Sequence, residues 1–108
     1  MIDRTRLDGL REDIGAEDFA DLACVFVAEM TEHLDRLTGD PARATAADFH
    51  FLRGSAANLG LSAMAEACGR AEAACRIGAS PDIAAIAEIF ALSLAAIAPD
   101  IPGLASAA

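Results

Sequence analysis

The feature that most constrains the fold is an apolar stripe that runs from Phe19 to Leu37. Its members recur every three or four residues, which is the period of one face of an α-helix. Charged side chains occupy the intervening positions, so only this one face needs to be buried against other elements. The pattern therefore predicts a long amphipathic helix over about residues 16–38. The stripe consists of Phe19, Leu22, Ala23, Phe26, Val27, Met30, Leu34 and Leu37.

The same spacing, together with capping residues, predicts four further helices. Glycines at positions 15, 60 and 78 and a proline at position 99 are expected to end them. The first is a short helix that begins after Asp3 or Thr5 and ends at Gly15. The others are predicted over about residues 41–59 (capped by Asp40), 63–77 (capped by Ser62) and 81–98 (capped by Ser80).

The composition agrees with an all-helical protein. The chain holds 27 alanines, the best helix former, and only 14 β-branched residues, which favour strands. Short connections between long amphipathic helices force neighbouring helices to be antiparallel. We therefore expect an all-α fold, an antiparallel up-down four-helix bundle with a short additional N-terminal helix. Residues 1–98 are expected to form this single domain, and residues 99–108, which show no pattern, a flexible tail.

Charge and special residues exclude several classes of function. The 17 acidic residues outnumber 8 arginines, there is no lysine, and the net charge is -9. This balance disfavours nucleic acid and anionic membrane as partners, and the lack of lysine excludes a Schiff-base or P-loop lysine. The three cysteines have no C-x-x-C spacing, so neither a disulfide framework nor a zinc site is indicated. The N-terminal segment is charged and has no apolar core, so no signal peptide is recognised. Glu88 and Ser93 interrupt the most apolar segment, so we expect a core helix there rather than a membrane span. A cytoplasmic protein is expected.

His50 falls opposite the apolar face of the third predicted helix, so it should project into solvent. On a helical wheel its neighbours within about 60° are small or basic. A glycine inside a helix costs roughly 1 kcal/mol relative to alanine, and Gly54 makes sense if another molecule must come close to the imidazole. Residues 41–80 hold four arginines and three acidic residues, so this part of an acidic chain suits an anionic group. The neighbours are Arg43, Ala46, Ala47, Arg53, Gly54 and Ala57.

Two segments carry a resemblance to a known family. The run HFLRGSAANLGL at residues 50–61, followed by CGRAE at residues 68–72, resembles the signature of histidine-containing phosphotransfer (HPt) domains. The resemblance extends over about residues 2–98. Arg53 stands where the family usually has lysine, which keeps the charge but binds oxygen with a planar guanidinium. Ala71 replaces the usual leucine, which should loosen packing rather than alter chemistry.

The resemblance implies a phosphoryl carrier of two-component phosphorelays rather than an enzyme with its own kinase activity. His50 would accept a phosphoryl group from the aspartate of a receiver domain and pass it to another receiver. Arg53 and Arg43 would stabilise the phosphoryl oxygens, and Gly54 would allow close approach of the receiver. The partners would be response-regulator receiver domains and a hybrid sensor histidine kinase, with Mg²⁺ supplied by the receiver and no cofactor on this chain. Further partner-binding residues would be Ala46, Ala47, Ala57 and Asn58.

Two alternatives remain open from the residues alone. A helical adaptor or inhibitor that docks on a kinase or receiver without being phosphorylated would need the same fold and face; an intact His50 favours the carrier. A structural bundle that self-associates would need an apolar face. The face around His50 is expected to be polar, so we expect a monomer. The second histidine, His33, lies at the edge of the long stripe and is expected to be a partly buried, hydrogen-bonded side chain.

Overall fold

The computed structural model describes residues 1–107 and shows helices and no strands within that range. The prediction of an all-α fold is confirmed. Two short 3₁₀ helices, at Pro41–Arg43 and Ala98–Asp100, lie between the longer elements. The α-helices are α1 (Arg4–Ile14), α2 (Ala16–Gly39), α3 (Ala46–Asn58), α4 (Ser62–Arg76), α5 (Ile83–Ile97) and α6 (Leu104–Ala107).

The long helix α2 packs against four other α-helices, α1, α3, α5 and α6. Its apolar stripe is directed into the core, as its spacing predicts. Most of the stripe is buried, and only Leu22 and Phe26 remain partly exposed. The antiparallel up-down order of the helices stays a prediction. The buried members are Phe19, Ala23, Val27, Met30, Leu34 and Leu37.

The start of α3 differs from the prediction. Asp40 and Pro41 lead into the 3₁₀ helix, and α3 begins only after Thr45. Thr45 and Asp48 form a capping box, in which each side chain accepts a hydrogen bond from the backbone N–H of the other. Asp40 makes no such cap, so the reciprocal pair determines where the helix starts. The start of α5 also differs, because Asp82 rather than Ser80 is the N-cap and its side chain accepts a hydrogen bond from the backbone N–H of Ala85.

The C-terminal segment is packed, so the expectation of a flexible tail over residues 99–108 is wrong as far as residue 107. Ile101 and Leu104 are each 1% exposed, and α6 lies against α2. Arg4 of α1 also forms an ion pair with Asp100, at 2.9 Å. Two apolar residues after a proline are too few to show a period, so this packing cannot be predicted from the residue pattern. Ala108 lies outside the described residues.

Residues 83–100 have the length and mean hydropathy, 1.8, of a membrane-spanning helix, a test that core helices of globular domains also pass. In this fold the segment is α5 with the 3₁₀ helix that follows. Ile86, Phe90 and Ile97 are buried within the core. The buried part of the segment, 28% of its residues, belongs to α5, which packs against α2 and α4.

A tight turn at residues 59–61 brings α3 and α4 side by side over much of their length. Gly60 adopts a φ of 73°, a left-handed conformation that a side chain would strain. A Cβ at this position would lie only 2.6 Å from the carbonyl oxygen of Asp3. The N–H of Asp3 also donates to the carbonyl of Gly60, at 2.7 Å. This turn places the middle of α3 next to the C-terminal half of α4.

Candidate functional site

His50 lies in the middle of α3 with its side chain 66% exposed, which confirms the expected projection into solvent. It borders a shallow depression of about 510 Å³ on the protein surface. Arg76, at the last residue of α4, borders the same depression. The remaining lining is apolar, so the imidazole lies at the edge of a small, accessible apolar surface. That lining is formed by Ala46, Ala47 and Phe51.

Beneath His50 lies Glu72 of α4, whose side chain is only 3% exposed. Its Oε2 atom is 3.3 Å from Nδ1 of His50 and 2.6 Å from Nη2 of Arg76. Its Oε1 atom is 3.4 Å from Nη2 of Arg53, but without the geometry of a hydrogen bond. Within residues 1–107, this Oε1 is the one buried side-chain polar atom that has no hydrogen-bond partner. One buried carboxylate thus faces an imidazole and two guanidinium groups.

Nδ1 of His50 lies between a donor and an acceptor. Nη2 of Arg53 is 3.2 Å away, and a guanidinium can only donate, so this contact requires a lone pair on Nδ1. The Glu72 carboxylate, 3.3 Å away, can only accept, which would require a proton on Nδ1; of the two contacts, the one with Arg53 has the geometry of a hydrogen bond. Through Nδ1, the neutral ring can either accept a hydrogen bond from Arg53 or donate one to Glu72, but not both at once. Because the ring carries a single proton, the choice also determines whether Nε2 carries a lone pair.

Arg53 follows His50 by one helical turn and lies across α4. Its side chain is 44% exposed, and its Cδ is 3.6 Å from where a Cβ of Gly69 would be. The Arg53 side chain thus passes over Gly69 at van der Waals distance on its way to Glu72. Below it, burial raises the pKa of the Cys68 thiol to about 12, although the charge of Arg53 opposes this effect. Cys68 stays protonated in the core and does not act as a nucleophile.

The rest of the surface around His50 along α3 is small and open, as the helical wheel predicts. Gly54 is exposed, and a Cβ added there would meet no atom within 4 Å. Ala47 and Ala57 are exposed, and Ala46 is partly exposed. On this side of α3 another protein surface can therefore come close to the imidazole over small residues.

Two predicted site residues are placed differently. The wheel put Arg43 beside His50, but Arg43 belongs to the 3₁₀ helix before α3 and lines a separate cleft with Asp40 and Asp48. The prediction for Arg43 is wrong because it extends α3 back to residue 41, whereas the helix begins at Ala46. Asn58 is exposed at the end of α3, and its Oδ1 accepts a long hydrogen bond of 3.5 Å from Arg6. Its amide is thus held toward α1.

His33 is a structural histidine, as its place at the edge of the stripe predicts. Its side chain is 15% exposed, and its Nε2 is 2.9 Å from Oδ1 of Asp48. Nη2 of Arg36 lies 3.3 Å from its Nδ1, so the arginine donates to Nδ1 while Nε2–H donates to the carboxylate. The ring also stacks on Phe51, with centroids 4.9 Å apart. Both ring nitrogens are occupied, so His33 offers no free lone pair.

The wheel also missed two members of the site. Glu72 appeared only as the last letter of the CGRAE segment, and Arg76 received no role. A signal existed in their spacing, since an acid and an arginine four residues apart lie on the same face of a helix. The packing of α4 against α3 cannot be read from that spacing. Among residues 1–107, no group of three or more His, Cys, Asp or Glu side chains is placed to hold a metal ion.

Comparison with known proteins identifies the family. The family model described as Hpt domain matches residues 21–100, which is most of the chain and includes α3, α4 and α5. Neither the curated proteins nor the solved structures give a significant match. The matched range contains the exposed His50, the buried Glu72 and the arginines beside them. The chain therefore belongs to the Hpt domain family, the histidine-containing phosphotransfer domains.

Proposed function

We propose that this protein is a phosphoryl carrier in which His50 accepts a phosphoryl group from a phospho-aspartyl receiver domain and passes it to a second receiver. Hpt domains act in histidine phosphotransfer in two-component phosphorelays. The observation that carries the assignment to His50 is its contact with Glu72. An exposed imidazole whose Nδ1 is 3.3 Å from a buried carboxylate can present Nε2 as a nucleophile.

The chemical step follows from this contact. With the proton on Nδ1 held by Glu72, Nε2 attacks the phosphorus of the partner's aspartyl phosphate. A bond forms between Nε2 and phosphorus while the bond between phosphorus and the aspartyl oxygen breaks, and that electron pair remains on the partner's carboxylate. The proton stays on Nδ1, so the phosphorylated ring carries a positive charge that Glu72 offsets. The reverse step on a second receiver releases the group.

Two arginines contribute positive charge at the place where the phosphoryl oxygens arrive. Arg53 and Arg76 flank His50, and both are substantially exposed, at 44% and 67%. Guanidinium groups suit phosphoryl oxygens because their planar N–H donors match the oxygens in pairs. The carrier supplies the imidazole and this positive charge, while the receiver supplies Mg²⁺ and its own carboxylates.

The proposed docking surface is the open part of α3 around His50. Its small residues, Gly54 and Ala57 among them, allow a receiver to lie flat, and Phe51 adds an apolar contact because it is 39% exposed. We place the protein in the cytoplasm as a monomer whose partners are receiver domains and a hybrid sensor histidine kinase. An up-down bundle of α2 to α5 would hold this face rigid, in agreement with the contacts of α3 with α2 and α4.

The first test loads the purified protein with phosphoramidate, a small donor that needs no partner protein. We expect one acid-labile phosphoryl adduct by intact mass at neutral pH. The adduct should be absent from His50→Gln, and the matched variant His33→Gln should still acquire it. An adduct that persists in His50→Gln would refute the assignment.

A second test separates the carrier from an adaptor that docks without being phosphorylated. Protein loaded on His50 is mixed with purified receiver domains, and the phosphoryl group is followed from the carrier to the receivers. A carrier loses its adduct to at least one receiver within minutes. An adaptor binds a kinase or a receiver equally well as wild type and as His50→Gln, and acquires no adduct from phosphoramidate.

A further inference from the structure

The contact between Arg76 and Glu72 is the shortest ion pair within residues 1–107, at 2.6 Å. The two residues are four apart on α4, and Arg76 is its last residue. The guanidinium of an arginine at a helix C-terminus is expected to interact with the last backbone carbonyls or with solvent. Here a guanidinium that is 67% exposed is turned back onto a carboxylate that is 3% exposed. The spacing of four residues accounts for the pair itself, but not for the fact that the same oxygen also faces Nδ1 of His50.

The contact with Arg76 affects the orientation of the Glu72 carboxylate. The terminal torsion of a glutamate is broad, so the carboxylate can rotate between its neighbours at low cost. One oxygen, Oε2, contacts both Arg76 and Nδ1 of His50, whereas Oε1 makes no hydrogen bond. Arg53, with Nη2 at 3.4 Å from Oε1, would gain a hydrogen bond if the carboxylate turned toward it. Arg76 holds the carboxylate against that rotation.

The same rotation would change the proton on His50. Nη2 of Arg53 already makes a hydrogen bond with Nδ1, at 3.2 Å, and if Glu72 turned away no acceptor beside Nδ1 would oppose it. A guanidinium donating to Nδ1 favours the tautomer with its proton on Nε2. That tautomer has no lone pair with which Nε2 could attack phosphorus. The balance between Arg53 and Glu72 at Nδ1 therefore sets the reactivity of the ring.

We infer that Arg76 is a positioning residue for phosphoryl transfer: it holds Oε2 of Glu72 against Nδ1 of His50 and so keeps the lone pair on Nε2. The inference rests on the proposed function of His50. It assigns Arg76 an action through Glu72, in addition to any charge it offers to the phosphoryl oxygens. A residue that only closes the helix or balances a buried charge would leave the tautomer of His50 unchanged.

The test combines loading kinetics with a direct view of the ring. Three variants are compared with wild type: Arg76→Gln removes the charge, Arg76→Lys restores it, and Arg70→Gln is the matched control. Arg70 is another exposed arginine of α4 that lines a different groove, between α4 and α5. Phosphoramidate is the donor, and long-range proton–nitrogen NMR of the unphosphorylated protein reports which nitrogen of His50 is protonated.

We expect Arg76→Gln to shift the neutral ring of His50 toward the Nε2–H tautomer and to slow loading about tenfold. This factor corresponds to about 1.4 kcal/mol of preference between the tautomers. Arg76→Lys should recover most of the loading rate and the Nδ1–H signal, since its ammonium also donates to Oε2. Arg70→Gln should match wild type in both measurements, and circular dichroism should show equal helix content in all four proteins.

Two outcomes would overturn the inference. One is an Arg76→Gln protein whose His50 tautomer is that of wild type. The other is a loading rate for Arg76→Gln equal to that of Arg70→Gln. Failure of the proposed function itself is distinguishable, because in that case wild type acquires no phosphoryl group on His50.

Discussion

Replacing Glu72 with methionine is expected to remove most of the phosphoryl loading without destabilising the fold. Oε1 of Glu72 is buried without a hydrogen bond, which costs about 1–3 kcal/mol. The opposing contribution comes from ion pairs with Arg53 and Arg76, which are 44% and 67% exposed; such pairs contribute about 0–1 kcal/mol each. The two contributions nearly cancel, so the free energy of unfolding should change by no more than about 1 kcal/mol.

The result depends on which groups remain after the substitution. His50, Arg53 and Arg76 all reach solvent, so no buried charge is left without a partner. Methionine fills the volume of the glutamate stem with apolar atoms. At the same time the hydrogen bond from Arg53 to Nδ1 remains without the carboxylate to oppose it, which favours the unreactive tautomer. Loading by phosphoramidate should therefore fall about tenfold or more, the factor expected when the preferred tautomer changes by about 1.4 kcal/mol.

Urea unfolding monitored by circular dichroism measures the stability, because the chain has no tryptophan or tyrosine for fluorescence. The matched control is Glu72→Gln, whose amide oxygen can still accept from Nδ1–H, so its loading rate should lie between those of wild type and Glu72→Met. A loss of more than about 3 kcal/mol in Glu72→Met would show that the carboxylate is a structural ion-pair partner. Loading of Glu72→Met at the wild-type rate would refute the role of the carboxylate.

Three further predictions concern the surfaces around the site and the ends of the chain. Gly54→Ala should stabilise the protein by about 0.5–1 kcal/mol, because the new Cβ meets open space; thermal unfolding checks this, and a fall in stability would contradict it. Burial raises the pKa of Asp48, but hydrogen bonds from Thr45 and His33 outweigh it and hold that pKa below 3.8. Its stabilising contribution is present above pH 3.8 and is lost as the pH falls through the lowered pKa; acid titration of stability should fall more steeply for wild type than for Asp48→Asn, and parallel curves would refute the argument. Leu104→Ala should lower the free energy of unfolding by about 2 kcal/mol or more, since Leu104 is 1% exposed; an unchanged urea midpoint would mean that the tail does not pack in solution.

The helices could be predicted from the sequence where periodicity and core packing agree. The stripe of α2 and the buried face of α3 are examples, since Phe49, Leu52 and Ala56 are buried as their spacing predicts. The errors lie at helix ends and in the tail. The start of α3 was placed at residue 41 because proline and aspartate are good start signals, whereas the reciprocal bonds of Thr45 and Asp48 determine it. Which of two candidate caps starts the helix depends on the geometry of their hydrogen bonds to the backbone, and this geometry cannot be read from the order of the residues.

The site divides in the same way. The exposure of His50 and Gly54 follows from the phase of one helix, and both were predicted. The ion cluster under the imidazole depends on how α4 packs on α3, which brings Glu72 and Arg76 to His50 from a second helix. Arg43 shows the converse error, since it shares the phase of His50 only if the helix extends back to it. Single-helix patterns thus predict which side chains face outward, and contacts between helices decide which of them meet.

The most direct test of the account identifies the phosphorylated atom. Protein labelled with ¹⁵N is treated with phosphoramidate, and phosphorus–nitrogen coupling in the NMR spectrum shows which histidine and which ring nitrogen carries phosphorus. The account predicts a single phosphoryl group on Nε2 of His50, with the proton retained on Nδ1 facing Glu72 and with His33 unmodified. Phosphorus on Nδ1 of His50, or on His33, would contradict it.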